Sequence, residues 1–390
     1  TKRYRCNICS LSTLRRLLFF TNFINHHQVH VADELYKALG SDYTFVATEE
    51  IPRSFKNSGY PDYSDRPYLL KAYLEENKAE AMRLAEEVDV MIIGAAPEVY
   101  VEKRLVLNKL TLRYNERWFK DGYYHLLSPR ALWYYYNHHT KYRKHNLYML
   151  CASAFTASDV AKVVAYPGKC FKWGYFTKVE EFDIEKSLVA KRDETVRIMW
   201  CARFIAWKHP ELPVILAKRL KYSGYSFVID MFGSGEELEN TKQLAKQLGV
   251  EDVVEFRGNV QNAEILQEMR KHDIFLFTSD RNEGWGAVLN EAMSNGCAVV
   301  ASNEIGSVPF LVKDRENGTI FRSESIDSLY ESVKYLIDNQ QERERISRSA
   351  YETMLNVWSP ANAAKRLLQL LNGLMNEQKV EFLDGPCSKA

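Results

Sequence analysis

The stretch Glu283-Gly284-Trp285-Gly286-Ala287-Val288-Leu289-Asn290-Glu291-Ala292 carries the residue types and spacing best suited to chemistry. It follows the apolar run DIFLFT at 273–278 and a short loop at 279–282. Its two glycines let backbone approach a ligand closely. A helix starting near Gly286 aims its free amides and the positive end of its dipole at one point, which suits a diphosphate. If the stretch is mostly helical, the backbones of Glu283 and Glu291 stand roughly 12 Å apart. One carboxylate then reaches a sugar ring and the other a ribose, with phosphates between them. Taken alone, the pair also reads as a loop glutamate and an exposed helix glutamate.

Three further groups share the same logic. Arg203 and Lys208 follow the run VRIMWC at 196–201, five residues apart and ahead of a helix. Arginine grips phosphate oxygens in a fork and lysine acts as a compact point charge. Together they could neutralise a leaving diphosphate, or they are two surface cations. Gly233-Ser234-Gly235-Glu236 follows SFVIDMFG; a single GxG is more often a tight strand-to-helix turn. Arg257-Gly258-Asn259-Val260 follows VVEFR, where backbone atoms near Gly258 and Val260 can meet a base.

These groups need a scaffold that gathers the ends of several strands. The chain has 390 residues, 46% hydrophobic and 26% charged, which is globular composition and enough for two domains. Short apolar runs alternate with amphipathic helical stretches throughout, as in parallel sheets covered by helices on both faces. In the first half, strands are expected at 17–22, 43–48, 89–94, 109–114 and 147–152. Helices are expected at 29–39, closed by Gly40, at 68–87, from Pro97 and from about Ser158. Residues 49–67 read as a loop and 167–194 as an interdomain linker. In the second half, strands are expected at 196–201, 226–233, 253–258, 273–278 and 297–302, with a last helix near 361–377 and a frayed tail from Gln378. The expected organisation is an N-terminal Rossmann-like domain over 1–175 and a second over 176–360. A helix at 361–379 packs back toward the first domain, before a tail at 380–390. Two such domains place ligands at the carboxyl ends of their strands, at topological switch points.

Taken together and in this order, the motifs make the second half resemble the C-terminal domain of the retaining GT-B-fold glycosyltransferases of family 4 (glycosyl transferases group 1), over roughly 195–375. The resemblance rests on Glu283-x7-Glu291, Arg203 with Lys208, GSGEE, FRGNV, EAMSNGCAVVAS and WSPANAAKRLL. It implies a GT-B fold and transfer of a hexose-type sugar from a nucleotide-diphospho-sugar, such as a UDP- or GDP-sugar, to a hydroxyl of a glycan or lipid-linked acceptor. It also implies retention of anomeric configuration and no required metal. By the same resemblance Glu283 contacts the donor sugar, Glu291 binds the ribose, Arg203 and Lys208 hold the diphosphate, and backbone amides at Gly284, Trp285, Gly286, Ala287 and Val288 contribute. Two rival readings are an inverting GT-B enzyme or epimerase, and a non-catalytic or partner-dependent nucleotide-sugar-binding protein.

The first half departs from the family. The loop after its first strand, Asn22-Phe23-Ile24-Asn25-His26-His27-Gln28, lacks the glycine-rich turn of many relatives. His26 and His27 are candidates to touch donor or acceptor, or they cap and pack. Where many relatives carry a catalytic-side histidine this chain has Arg113-Tyr114-Asn115-Glu116-Arg117, so Glu116 is the candidate replacement, with an ion pair to a neighbouring arginine as the alternative. The aromatic and basic stretch 130–145 could rest on an anionic membrane surface, line an acceptor pocket or simply pack.

Net charge is +1, so nothing global argues for nucleic-acid binding. Seven scattered cysteines read as reduced thiols of a cytoplasmic protein, peripheral to the membrane at most. The CNIC pair Cys6 and Cys9 is too few ligands for zinc, and the first dozen residues read as a leader, a processed end or an added segment.

Overall fold

The computed structural model describes residues 14, 16–52 and 61–390. The Cys6–Cys9 pair, the expected leader and part of the 49–67 loop lie outside those residues. Two parallel sheets organise the chain. The first contains β1 (Leu17–Thr21), β2 (Tyr43–Ala47), β3 (Leu69–Lys71), β4 (Val90–Ile93), β5 (Thr111–Asn115), β6 (Leu147–Cys151) and β7 (Cys170–Lys172), in the order β3-β2-β1-β4-β5-β6-β7. The second contains β8 (Val196–Cys201), β9 (Phe227–Phe232), β10 (Val254–Gly258), β11 (Ile274–Phe277), β12 (Ala298–Ser302) and β13 (Thr319–Phe321), in the order β10-β9-β8-β11-β12-β13. Both are doubly wound α/β sheets whose order reverses once. The reversal falls between β1 and β4 in the first sheet and between β8 and β11 in the second, which marks the places where such sheets bind ligands.

Strands buried on both faces must be apolar along their length, and β1, β4, β11 and β12 are buried at every position. One apolar core covers the outer face of each sheet, around Phe20 and Met91 in the first and around Trp200 and Ile229 in the second. A third core runs through the domain junction. There Trp173, Phe176, Trp285 and Trp358 are each 1% exposed or less, and Phe176 and Trp358 stack with ring centroids 6.2 Å apart. Helix Pro360–Met375 is capped by Ser359, whose side chain accepts from the Asn362 amide. It packs on helix Val29–Leu39 of the first domain, so the chain's last long helix crosses back.

Several expectations need correction. Residues 68–87 are not one helix: β3 pairs in parallel with β2, and the helix starts only at Glu75. The stretch after Pro97 is a single 3-10 turn, then a short helix at Glu102–Val106. The expected linker contains β7 and helix Ile184–Ala190. The tail is not frayed. The amides of Cys387 and Lys172 exchange bonds with the carbonyls of Lys172 and Ser388, both at 2.7 Å, and the Ala390 amide donates to Cys170. Asp384 pairs with Lys172 at 2.7 Å. The tail thereby covers the free edge of β7, which would otherwise leave unpaired backbone groups exposed.

Candidate active site

The strands flanking the second switch point, β8 and β11, end in the two loops that hold the expected cations and carboxylate. Thr278 ties these loops together. Trp200 Nε1 donates to its hydroxyl at 2.8 Å, and that hydroxyl donates to the Lys208 carbonyl at 2.6 Å. The Asp280 amide donates to the carbonyl of Trp207 at 3.1 Å. Lys208 is therefore fixed beside the β11 loop, where its ammonium donates to Glu283 Oε2. The same oxygen accepts from Ser279 Oγ at 3.0 Å. Lys208 also lies 4.4 Å from the centre of the Trp207 ring, and the Arg203 guanidinium stands 6.0 Å from that centre. Arg203 is exposed and has no ion pair among the described residues, so its charge is available to a ligand. Both cations were legible in the sequence, but Trp207, the ring they share, was not.

Glu283 and Gly284 are pinned from behind by Gly306, after β12. The Gly306 amide donates to the Glu283 carbonyl at 3.2 Å, and a Cβ on Gly306 would lie 1.7 Å from the Gly284 carbonyl oxygen. Gly286 has a left-handed φ of 83°, and a Cβ there would lie 2.3 Å from the Phe277 ring. Only glycine fits such a turn comfortably. Helix Ala287–Ser294 follows, its first amides lacking intrahelical acceptors. Glu291, on that helix, is 8% exposed, accepts from Asn262 Nδ2 at 3.2 Å, and is pushed by burial up to a pKa of about 7.

Glu116 crosses from the first domain into this site. It directly follows β5, and a Cβ on Gly284 would lie 1.8 Å from Glu116 Oε2, so the carboxylate rests against the Gly284 backbone. Its oxygens accept from Lys120 Nζ and from the Tyr175 hydroxyl. The ion pair is thus with Lys120, not with an arginine. Tyr175 is the residue that sequence reasoning missed. Its ring stacks on His27 at 3.8 Å, and its carbonyl accepts from Asn290 Nδ2 at 2.9 Å. Nothing in the aperiodic 167–194 segment signals that role, although a wholly buried Asn290 within AVLNEAMS marks a polar anchor on an apolar helix. His27 is held toward its neutral form by burial and by His26, while burial and the nearby His30 bring His26 to a pKa of about 4.

Some expected contacts take another form. The Trp285 side chain is buried at the junction, where a Cβ on Gly174 would meet its ring at 2.2 Å and its Nε1 donates to Asn290 Oδ1 at 2.9 Å. Only its backbone is left for a donor. Gly233 is explained by loop packing: a Cβ there would lie 2.0 Å from the Ala202 carbonyl oxygen. Gly258 has a φ of 68° with open space beside it, and Val260 is half-buried at the same edge. Within the 130–145 stretch, His139 bonds Tyr166 at 2.6 Å and His138 lies 3.5 Å from Glu98. Among the described residues no three His, Cys, Asp or Glu side chains cluster to hold a metal ion, and no helix is long and apolar enough to cross a membrane.

Two facing Rossmann-like domains with a polar site at the second switch point define a GT-B architecture. Residues 181–353 match the sequence model of the Glycosyl transferases group 1 family, so the chain carries a domain of that family. It is 35% identical over 127 residues to an uncharacterized glycosyltransferase of Haemophilus influenzae, covering 33% of this chain and 34% of that protein. It is 27% identical over 161 residues to the GDP-mannose-dependent alpha-(1-6)-phosphatidylinositol monomannoside mannosyltransferase of Mycobacterium tuberculosis, covering 40% and 41%. The matches span only about a third to two-fifths of these curated relatives. Among solved structures, Anabaena Alr3699/HepE in complex with UDP superposes with a TM-score of 0.68 at 14% identity, over 92% of this chain and 100% of that one.

Proposed function

We propose that the protein is a glycosyltransferase that moves a hexose-type sugar from a UDP- or GDP-sugar to a hydroxyl of a glycan or lipid-linked acceptor. The reading has transfer proceed with retention of configuration and without a metal. The observation that carries it is the convergence of Glu283, Lys208, Arg203 and a glycine-capped helix start on one switch point, with Glu116 opposite.

The roles that the family resemblance suggests fit this arrangement. Arg203, Lys208 and the amides of Gly286–Val288 stabilise charge on the departing diphosphate, the kind of fixed electrostatic help that usually dominates such catalysis. Lys208 waits paired to Glu283, so an arriving diphosphate takes up a cation that is already aimed. Glu283 then faces the sugar and stabilises the positive anomeric centre. The acceptor oxygen bonds to the anomeric carbon on the face from which the diphosphate departs. As the bond to the diphosphate breaks, the acceptor's proton passes to a diphosphate oxygen. Glu116, against Gly284, orients the sugar from the other domain. Glu291 receives the ribose hydroxyls, and Gly258 and Val260 border the base. Domain closure keeps water out.

The acceptor side is consistent with peripheral contact at an anionic membrane surface through 130–145. Trp133 and Tyr136 are exposed there, 65% and 56%, near Arg130, Lys141 and Lys144. Flotation with anionic and neutral vesicles checks this contact. Transfer itself is tested by incubating the protein with nucleotide sugars and candidate acceptors in EDTA and reading the product anomer by NMR. Retained configuration in EDTA, lost in Glu283→Gln, is the expected result. Near-normal transfer by Glu283→Gln, or inversion, overturns the assignment.

A further inference from the structure

Three cations stand around Tyr123 beside the proposed acceptor side, and none has an ion pair within 4 Å among the described residues. Arg117 directly follows Glu116, and its guanidinium lies 4.4 Å over the Phe155 ring. Arg281 lies two residues before Glu283 and stands 5.9 Å from the Tyr123 ring centre. Lys162 lies 4.6 Å from the same centre on the other domain's helix Thr156–Lys162. The loops after β5, β6 and β11 supply Arg117, Phe155 and Arg281, so the cluster sits at strand ends, where the cleft lies.

Arg117 is only 8% exposed, and its Nε is buried with no hydrogen-bond partner. The Arg281 Nε is likewise buried and unpaired. Their remaining bonds are to carbonyls: Arg281 to Phe119 at 3.0 Å and Arg117 to Arg281 at 3.5 Å. Lys162 reaches only the Ser158 carbonyl, at 3.4 Å. Burial, aided by the neighbouring Arg281 charge, pushes the Arg117 pKa below its usual value against the pull of Asp159 and Glu304. One Asp159 oxygen accepts from the amides of Trp118 and Phe119, and the other is buried without a hydrogen-bond partner and makes no ion pair within 4 Å of Arg117. Burying a guanidinium without a matched anion is expensive, and each of the two guanidinium groups presents a fork of donors suited to paired oxygens.

We propose that Arg117, Arg281 and Lys162 form an anion subsite that holds a phosphate or carboxylate group on the acceptor. This rests on the transfer reading and narrows it to acceptors carrying negative charge. Because Arg117 and Arg281 contact each other's domain, an anion bound between them also favours the closed cleft.

The test is calorimetric titration of glucose, glucose 6-phosphate and glucuronate into the protein saturated with UDP, which fills the donor diphosphate site. The two charged sugars separate a phosphate source from a carboxylate source. Either charged sugar should bind about ten-fold more tightly than glucose, and the preference should shrink in Arg281→Gln and in Lys162→Ala. Lys162 is on the surface, so its variant keeps the test valid if Arg281→Gln folds poorly. Equal affinities for charged and neutral sugars, no binding of either charged sugar, or variants that weaken all three alike, as a pure interdomain latch would, overturn the subsite. Absence of turnover with every nucleotide sugar overturns the transfer reading instead and leaves this titration interpretable.

Discussion

Glu291→Gln separates the two demands placed on a buried carboxylate. Burial raises the Glu291 pKa from 4.5 to about 7. Each unit corresponds to about 1.4 kcal/mol between protonation states, so ionised Glu291 costs the free fold up to about 3 kcal/mol. The sign follows from linkage. A carboxyl with a raised folded pKa contributes stability below its unfolded pKa, and that contribution is lost as pH rises from about 4.5 through about 7. Glutamine has the same shape, can accept from Asn262 Nδ2 and does not titrate. Urea unfolding at pH 5 to 8.5, followed by intrinsic tryptophan fluorescence, should show the variant gaining on the wild type by up to about 3 kcal/mol over that range. UDP affinity should move the other way. Ribose hydroxyls donating to the carboxylate favour its charged form, so wild-type binding should strengthen toward pH 8, release protons, and exceed that of the variant. Parallel stability curves for the two proteins, or UDP binding accompanied by proton uptake, refute this reasoning.

The remaining expectations concern scaffold and cations. Gly286→Ala forces a side chain into a left-handed φ and against Phe277, so thermal unfolding should show a loss of about 2 kcal/mol or more, together with weaker UDP binding. Trp285→Ala removes a fully buried indole at the junction and should destabilise by about 3–5 kcal/mol, seen by calorimetry as uncoupled unfolding of the two domains. Tyr175→Phe frees a Glu116 oxygen while leaving the ring on His27; kinetics should show a lower kcat with little change in the KM for donor.

The second domain was legible in the sequence because its candidate site residues lie in short local motifs at strand ends. Glu283, Gly286 and Glu291 belong to one ten-residue stretch, and Arg203 and Lys208 to another. Strands of five or six apolar residues were equally visible. The three-residue strands β3, β7 and β13 were not, because so short a run gains its identity from the neighbour it pairs with. The tail fails for the same reason: residues 380–390 look polar and irregular until the edge of β7 offers them partners. Tyr175 and Trp285 show a different limit. An aromatic residue near a motif reads as a ligand contact, whereas here Trp285 fills the junction, and Tyr175, from an unremarked linker, reaches Glu116. The placement of Glu116 against Gly284 is a contact between domains, which no spacing encodes.

The central claim is that the second switch point binds a nucleoside diphosphate through Arg203 and Lys208. Its most direct test is titration of UDP and GDP in EDTA into the wild type and Arg203→Ala. Arg203 is exposed and outside the core, so the variant should keep its stability within about 0.5 kcal/mol. One nucleotide should bind the wild type, and about ten-fold more weakly the variant. Undiminished binding by Arg203→Ala, or no binding of any nucleoside diphosphate by the wild type, contradicts the account.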